Sequence, residues 1–105
     1  LDYEKIIEKF HTMYGNFPAR ARLIKKDRTV LAVNKISSDE GFTVGVRCID
    51  TSTKEAHAGC LANLALKEQS GKYKLSADKK RMPFWVPIDN FDDVFVHFSV
   101  PMPEV

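Results

Sequence analysis

Apolar side chains return at three- and four-residue intervals over residues 2–14, where Tyr3, Ile6, Ile7, Phe10 and Tyr14 form one stripe with charges opposite. That interval brings residues onto one side of a helix, so an amphipathic helix is predicted there. Gly15 supplies a stop, and Pro18 puts the chain outside the helix. The stripe must pack on a sheet or against another copy of itself. Residues 19–25 and 30–34 then read as two strands joined by Lys26, Asp27, Arg28 and Thr29. The second is rich in Val30, Leu31 and Val33, side chains that suit a half-buried pleated surface. Residues 35–40 are predicted to form a short polar turn of helix. Gly41 and Gly45 bracket an irregular connection that calls for positive φ.

A second helix is predicted over residues 53–69. Ser52, Thr53, Lys54 and Glu55 form a capping-box pattern, in which the serine caps the helix and the glutamate reaches back. Cys60, Leu61, Leu64 and Ala65 make its buried stripe, and Gly71 ends the run. Three strands follow, at 73–77, 82–88 and 94–100. In the last, Val94, Val96, Phe98 and Val100 share one face, while Phe95, His97 and Ser99 share the other. In the middle one, Met82, Phe84, Val86 and Ile88 alternate with Pro83, Trp85 and Pro87. The two prolines lack N–H groups on the same edge, so the neighbour there must be short, and the 73–77 strand fits.

Composition narrows the class. A chain of 105 residues with 44% hydrophobic and 29% charged residues reads as one soluble globular domain. The expected division is an N-terminal helix over 1–16 and a core over 17–101. A net charge of +2 is too small for a nucleic-acid footprint. Arg20, Arg22, Lys25, Lys26 and Arg28 cluster, as do Lys79, Lys80 and Arg81; both groups lie around predicted turns and read as solvated hairpin ends. No stretch approaches the roughly 18 apolar residues of a membrane span, so no membrane insertion is expected. With no signal-peptide pattern and only two cysteines, a cytoplasmic location is expected. The first residue is Leu1, not Met, as in a segment processed, excised from something longer or incompletely represented.

The order of elements, a hairpin ending in Asn34, a short helical connection, glycines, a lone helix and three antiparallel strands, resembles that of the PAS domain. The run Leu31-Ala32-Val33-Asn34-Lys35 looks like the second strand and following turn of such domains. Gly45-Val46-Arg47-Cys48-Ile49-Asp50 looks like the connection entering their long helix, and Cys60-Leu61 and Ala65-Leu66 lie on that helix. The resemblance covers residues 17–101. Asp27-Arg28 stands where many members carry Asp-Gly, and Pro101-Met102-Pro103 replaces the Asp-Ile-Thr run that often leads to an output domain. The resemblance implies an α+β fold, a five-stranded antiparallel sheet with helices on one face, beside the N-terminal amphipathic helix. It also implies a small pocket between them and a sensory, non-enzymatic module.

Candidate chemistry is sparse. Cys48, His57 and Cys60 are the one candidate ligand set, with His57 and Cys60 three apart on a helix and Cys48 just before it. Zinc takes four tetrahedral ligands, and only three are offered. Plain core packing, a Cys48–Cys60 disulfide, or metal stay open, and the resemblance adds haem, because some PAS sensors hold it through a histidine on this helix. His97 is a candidate near-neutral pH sensor or a hydrogen-bonded residue at a sheet surface. Trp85, of opposite parity to Phe84 and Val86, is a candidate contact with the first helix or a partner subunit. The expected ligand site comprises Cys48, His57, Cys60, Leu61, Leu64, Phe84, Val86, Val96 and Phe98, the stronger apolar runs favouring the Phe84, Val86, Val96 and Phe98 face. No phosphate loop or activated nucleophile is present, and Asp89, Asp92 and Asp93 sit where carboxylates cap turns. The leading expectation is a module that takes a small ligand or partner in a cleft between the 53–69 helix and the sheet. A homodimerisation domain using the N-terminal helix is the alternative, and a metal or haem sensor a further one.

Overall fold

The computed structural model describes residues 3–47 and 60–103. Helix α1 (Glu4–Tyr14) comes first, then strands β1 (Arg20–Lys25) and β2 (Val30–Val33) and the short helix α2 (Lys35–Asp39). Helix α3 (Ala62–Glu68) and strands β3 (Lys72–Tyr73), β4 (Arg81–Ile88) and β5 (Phe91–Pro101) complete the described elements. The strands form one five-stranded antiparallel sheet in the order β2-β1-β5-β4-β3. The last strand therefore lies between the first and the fourth, and the N-terminal hairpin joins the C-terminal strands along β1 and β5.

Register decides which side chains share a face. Leu23 lies opposite Ala32 and Val96, and Val96 lies opposite Val86, so these residues point one way. Arg22 lies opposite Val33 and His97, and His97 opposite Trp85, so these point the other way. Each face has its own core. Ile6 and Phe10 of α1 pack on Ala21, Leu23, Ala32, Val94 and Val96, with Phe98 at the margin. Ala62, Ala65 and Leu66 of α3 pack on Ile24, Val30, Trp85 and Phe95, with Cys60 and Leu61 at the margin. The stripe of α1 is thus consumed by its own sheet. Tyr3 anchors the start of α1, its hydroxyl donating to the Asp93 carboxylate.

Several expectations are met. The second strand is met but ends at Val33, and Asn34, expected as its last residue, instead caps the predicted short helix. Gly41 and Gly45 both take positive φ, at 97° and 88°. β3 is short, as expected of the neighbour of the proline edge, but it is Lys72–Tyr73 and shares only Tyr73 with the predicted 73–77. The Pro83 carbonyl accepts from the Lys74 N–H at 3.2 Å, so the edge of β4 without proline N–H groups is the one facing β3.

Three expectations are corrected. In the described part of the second helix the buried residues are Ala62, Ala65 and Leu66, while Leu64 is exposed. The helix ends at Glu68, with Gln69 in the left-handed region at φ 49°, before Gly71 is reached. The described helix begins at Ala62, with Leu61 at its N-cap and Cys60 outside it, so the single helix predicted over 53–69 does not run through these two residues. The predicted capping box lies outside the described residues.

Candidate functional site

The site is built on the sheet face that α3 covers. Arg20 and Arg22, two apart in β1, project to that face, as the parity of Arg22 with Val33 and His97 requires. The segment after α2 returns over them by a defined turn. The Gly41 N–H donates to the Ser38 carbonyl at 3.0 Å and the Phe42 N–H to the Ser37 carbonyl at 3.0 Å, with Gly41 left-handed. This is a Schellman ending, which satisfies the last helical carbonyls and sets the direction of the residue that follows. It points the Phe42 ring at the two arginines, whose guanidinium carbons stand 5.2 Å (Arg20) and 4.5 Å (Arg22) from the ring centroid.

The rest of this segment is stitched to the hairpin. Gly45 N–H donates to the Val30 carbonyl at 2.8 Å, Val30 N–H donates to the Val46 carbonyl at 2.9 Å, and Arg47 bridges to Thr29. Between segment and sheet lies a pocket of about 240 Å³. Arg22 and Val30 supply the sheet side, and Glu40, Phe42, Thr43 and Val46 supply the segment side. It lies beside α3, whose residues pack directly on the sheet and line none of it.

Among the described residues, Arg20, Arg22 and Arg81 and one carboxylate, Glu40, meet in this region. Arg20 Nε donates to Glu40 Oε2 at 2.7 Å, and this bond holds the Glu40 carboxyl below its ordinary range. Arg81 donates from Nε to Ser99 Oγ at 2.7 Å and from Nη2 to the Ser99 carbonyl at 2.8 Å. Burial, then the nearby Arg20 charge, pushes the Arg81 guanidinium below its usual value. Arg22 is buried, with 6% of its surface exposed. That placement corrects the expectation of a solvated hairpin end: Arg22 is mid-strand, opposite His97 of the central strand.

His97 and Trp85 stack across β4 and β5, ring centroids 5.3 Å apart and planes 13° from parallel. His97 Nδ1–H donates to the Phe84 carbonyl at 3.0 Å. Burial, followed by the Arg22 charge, lowers its pKa to about 4. The imidazole is therefore neutral at neutral pH, and of the two alternatives for His97 the hydrogen-bonded residue is met and the near-neutral sensor is not. Trp85 is buried in the core beneath α3, a contact neither with the first helix nor with a partner.

The structure divides the expected site residues. Cys60 and Leu61 sit half-buried at the margin of the α3 core. Val96 and Phe98 lie in the α1 core, and Phe84 and Val86, by their pairing with Phe98 and Val96, face the same way. These four are on the far side of the sheet from α3, because a strand alternates faces and the parity of Trp85 and Phe95 is the one the helix covers. The expectation that the Phe84, Val86, Val96 and Phe98 face floors the cleft is corrected. Leu64 points away from both cores. Cys48 and His57 lie outside the described residues. Cys60 is a free cysteine in this structure. Among the described residues no three His, Cys, Asp or Glu side chains converge as metal ligands.

The pocket residues Arg22, Phe42 and Val46 were not picked out by the sequence reading. One signal was present: Arg20, Arg22 and Ile24 share a parity, which puts two arginines on the face of a buried apolar residue.

Among solved structures, a domain of an HTR-like protein from Haloarcula marismortui is similar, with a TM-score of 0.68 at 18% identity, over 82% of this chain and 99% of that one. A PAS domain of an HTR-like protein from the same organism is similar with a TM-score of 0.55 at 12% identity, over 94% of this chain and 93% of that one. No family model and no curated protein matches the chain. No described helix is long and apolar enough to cross a membrane. With its five antiparallel strands in the order β2-β1-β5-β4-β3 and its helices, the chain has a PAS-like fold.

Proposed function

We propose that this chain is a single-domain, non-catalytic sensory or signalling module, working in the cytoplasm, that takes a small ligand on the α3 side of its sheet. The observation that carries this reading is the pocket of about 240 Å³ between Arg22, Val30 and the segment from Glu40 to Val46. Its size suits a small molecule, and its walls are more polar than apolar, with Arg22, Glu40 and Thr43 beside Val30, Phe42 and Val46, so polar contacts fix a ligand's orientation. Cys60 and Leu61, at the edge of α3, form the outer border of the binding face. A ligand acts by favouring one of two arrangements. Strand β1 is the natural carrier, since Arg22 faces the pocket and Leu23, its neighbour, faces α1.

Native mass spectrometry and thermal denaturation with a broad panel of small molecules test the reading. A retained molecule, or a thermal shift that substitution of Phe42 or Val46 removes, supports it. A protein that retains nothing and shifts with no compound overturns it.

A homodimer through the N-terminal helix is the second reading. Ile6 and Phe10 are spent on the sheet, so the contact uses the outer side of α1, where Met13 is 66% exposed beside Lys5, Lys9 and Thr12. Sedimentation decides it: a monomer throughout the micromolar range excludes this dimer, and a dimer that Met13→Glu dissociates supports it.

A further inference from the structure

On the sheet face opposite the pocket, and independently of the ligand-binding reading, we propose that the β3–β4 half beside α1 is a docking slot. Its occupant is an amphipathic helix of a partner protein, with one apolar stripe and an acidic flank. Tyr73 pairs with Phe84 and Phe84 with Phe98, Met82 with Val100 and Val86 with Val96, so these side chains point to the α1 side of the sheet. The apolar contacts of α1 reach Ala21, Leu23, Ala32, Val94 and Val96, with Phe98 at the margin. Beyond Phe98, Tyr73 is 69% exposed and Val86 37%, while Met82, Phe84 and Val100 are only partly buried. On the other side of the same strand Trp85 is 4% exposed beneath α3, so it is one face of β4 that lacks cover among the described residues. The Tyr73 and Phe84 rings stand 5.8 Å apart in the middle of this surface. A contiguous apolar surface of this kind marks a protein contact, and exposed aromatic side chains are its usual anchors.

The dimensions fit one helix. Strands about 4.8 Å apart make a five-stranded sheet about 19 Å across, and a helix is about 10 Å wide. Helix α1 takes one half and leaves room for one more beside it. The eight residues of β4 extend about 26 Å, which a helix of about 17 residues matches.

Charge at the outer rim sets the chemistry of the flank. Lys74, Lys79 and Lys80 are exposed along the edge that follows β3, while Lys72 is paired with Glu68 at 2.6 Å. The one carboxylate among these three lysines is Asp78, which accepts from Ser76 Oγ at 2.7 Å and from the Lys80 N–H at 2.9 Å. An acidic flank on the incoming helix complements this rim, and a basic one is repelled by it.

A second copy of the chain does not supply such a stripe. Ile6 and Phe10 of α1 are spent on their own sheet, and its outward surface carries Lys5, Glu8, Lys9 and Thr12. Because α1 stands about 10 Å above the sheet, two open halves cannot meet without laying that polar surface on apolar side chains.

The experiment titrates the full chain with a designed peptide of about 18 residues, with leucines at helical spacing and glutamates along one flank. One control carries lysines in place of the glutamates, and another has the same composition scrambled so that no stripe forms. Fluorescence anisotropy gives affinity, and backbone amide resonances of the unmodified protein locate the contact. The expected result is binding of the glutamate peptide about tenfold or more tighter than either control, weakened by salt, with shifts at Tyr73, Phe84 and Val86. Val86→Glu and Tyr73→Ser are each expected to weaken it about tenfold or more, and Leu64→Glu, on the outward side of α3, to leave it unchanged. Should a variant not fold, the resonances of the native chain decide. No binding, equal binding of either control, or shifts confined to the pocket or to the Met13 side of α1 would each overturn the proposal. So would sedimentation showing a dimer that Val86→Glu dissociates, which gives the slot to a second copy, or an oligouridine that moves the same resonances more than the peptide does. The small-molecule panel reports on the opposite face, so the ligand-binding reading stands or falls separately.

Discussion

Asn34 is the residue on which the N-terminal half turns. Its Oδ1 accepts from the Ala21 and Ser37 N–H groups, both at 3.1 Å, and its Nδ2 donates to the Phe17 and Ala19 carbonyls at 3.2 and 2.7 Å. One buried amide thus caps α2, pins β1 and fixes the approach to the sheet. Asn34→Ala is expected to cost about 3 kcal/mol in chemical denaturation, since it strands buried donors and acceptors as well as a helix cap. Asn34→Asp is expected to be no better, because it points a charge at two carbonyls. His97 makes a pH prediction. Its folded pKa, about 4, lies below the ordinary 6.5, so the unfolded chain binds the proton more readily. Stability is then intact above pH ~6.5 and is lost as pH falls towards ~4, by up to about 3 kcal/mol. Denaturation midpoints followed across that window should fall in the wild type and flatten in His97→Gln. Asn90, at φ 70° in the turn between β4 and β5, tests backbone strain: Asn90→Gly should be near neutral and Asn90→Val should cost about 1–2 kcal/mol in thermal unfolding.

Among the elements, α1 offers the plainest division between a buried and an exposed side. Ile6 is 7% exposed and Phe10 2%, while Met13 is 66% exposed. Phe10→Ala is expected to destabilise by about 3–5 kcal/mol and Met13→Ala by less than about 0.5, as measured by urea titration. The alternation of β4 explains why β3 is so short. Two prolines remove the donors that a longer partner strand would need, and after Tyr73 only single bonds, such as Lys74 N–H to the Pro83 carbonyl, continue the contact. The connection after α2 owes its path to Gly41 and Gly45. An alanine at either position meets no clash, yet must adopt a positive-φ backbone at a cost of about 1 kcal/mol.

For the whole molecule, the sheet is a shared wall between two cores. Helix α1 shields Ala21, Leu23, Val94 and Val96 on one side, and α3 with the post-α2 segment covers the other. Removing residues 1–16 is therefore expected to expose one entire sheet face. The truncated chain should bind hydrophobic dye and self-associate in light scattering, and a monomeric, dye-free product would contradict the two-core arrangement.

Much of this architecture was readable along the chain because it rests on local rules. The helical interval of Ile6, Phe10 and Tyr14, the alternation of Val94, Val96 and Phe98, the glycines at 41 and 45 and the prolines of β4 each dictate their own neighbourhood. The site was not readable in the same way. Parity separates Trp85 from Phe84 and Val86, but nothing local says which of the two sets a distant helix will cover; that depends on how the hairpin inserts β1 beside β5. Nor does a cluster of arginines near a turn reveal that one of them, Arg22, is buried against a ring twenty residues later in the chain. Local backbone preference is settled within a few residues, whereas burial and electrostatic environment are properties of surfaces that come together only on folding.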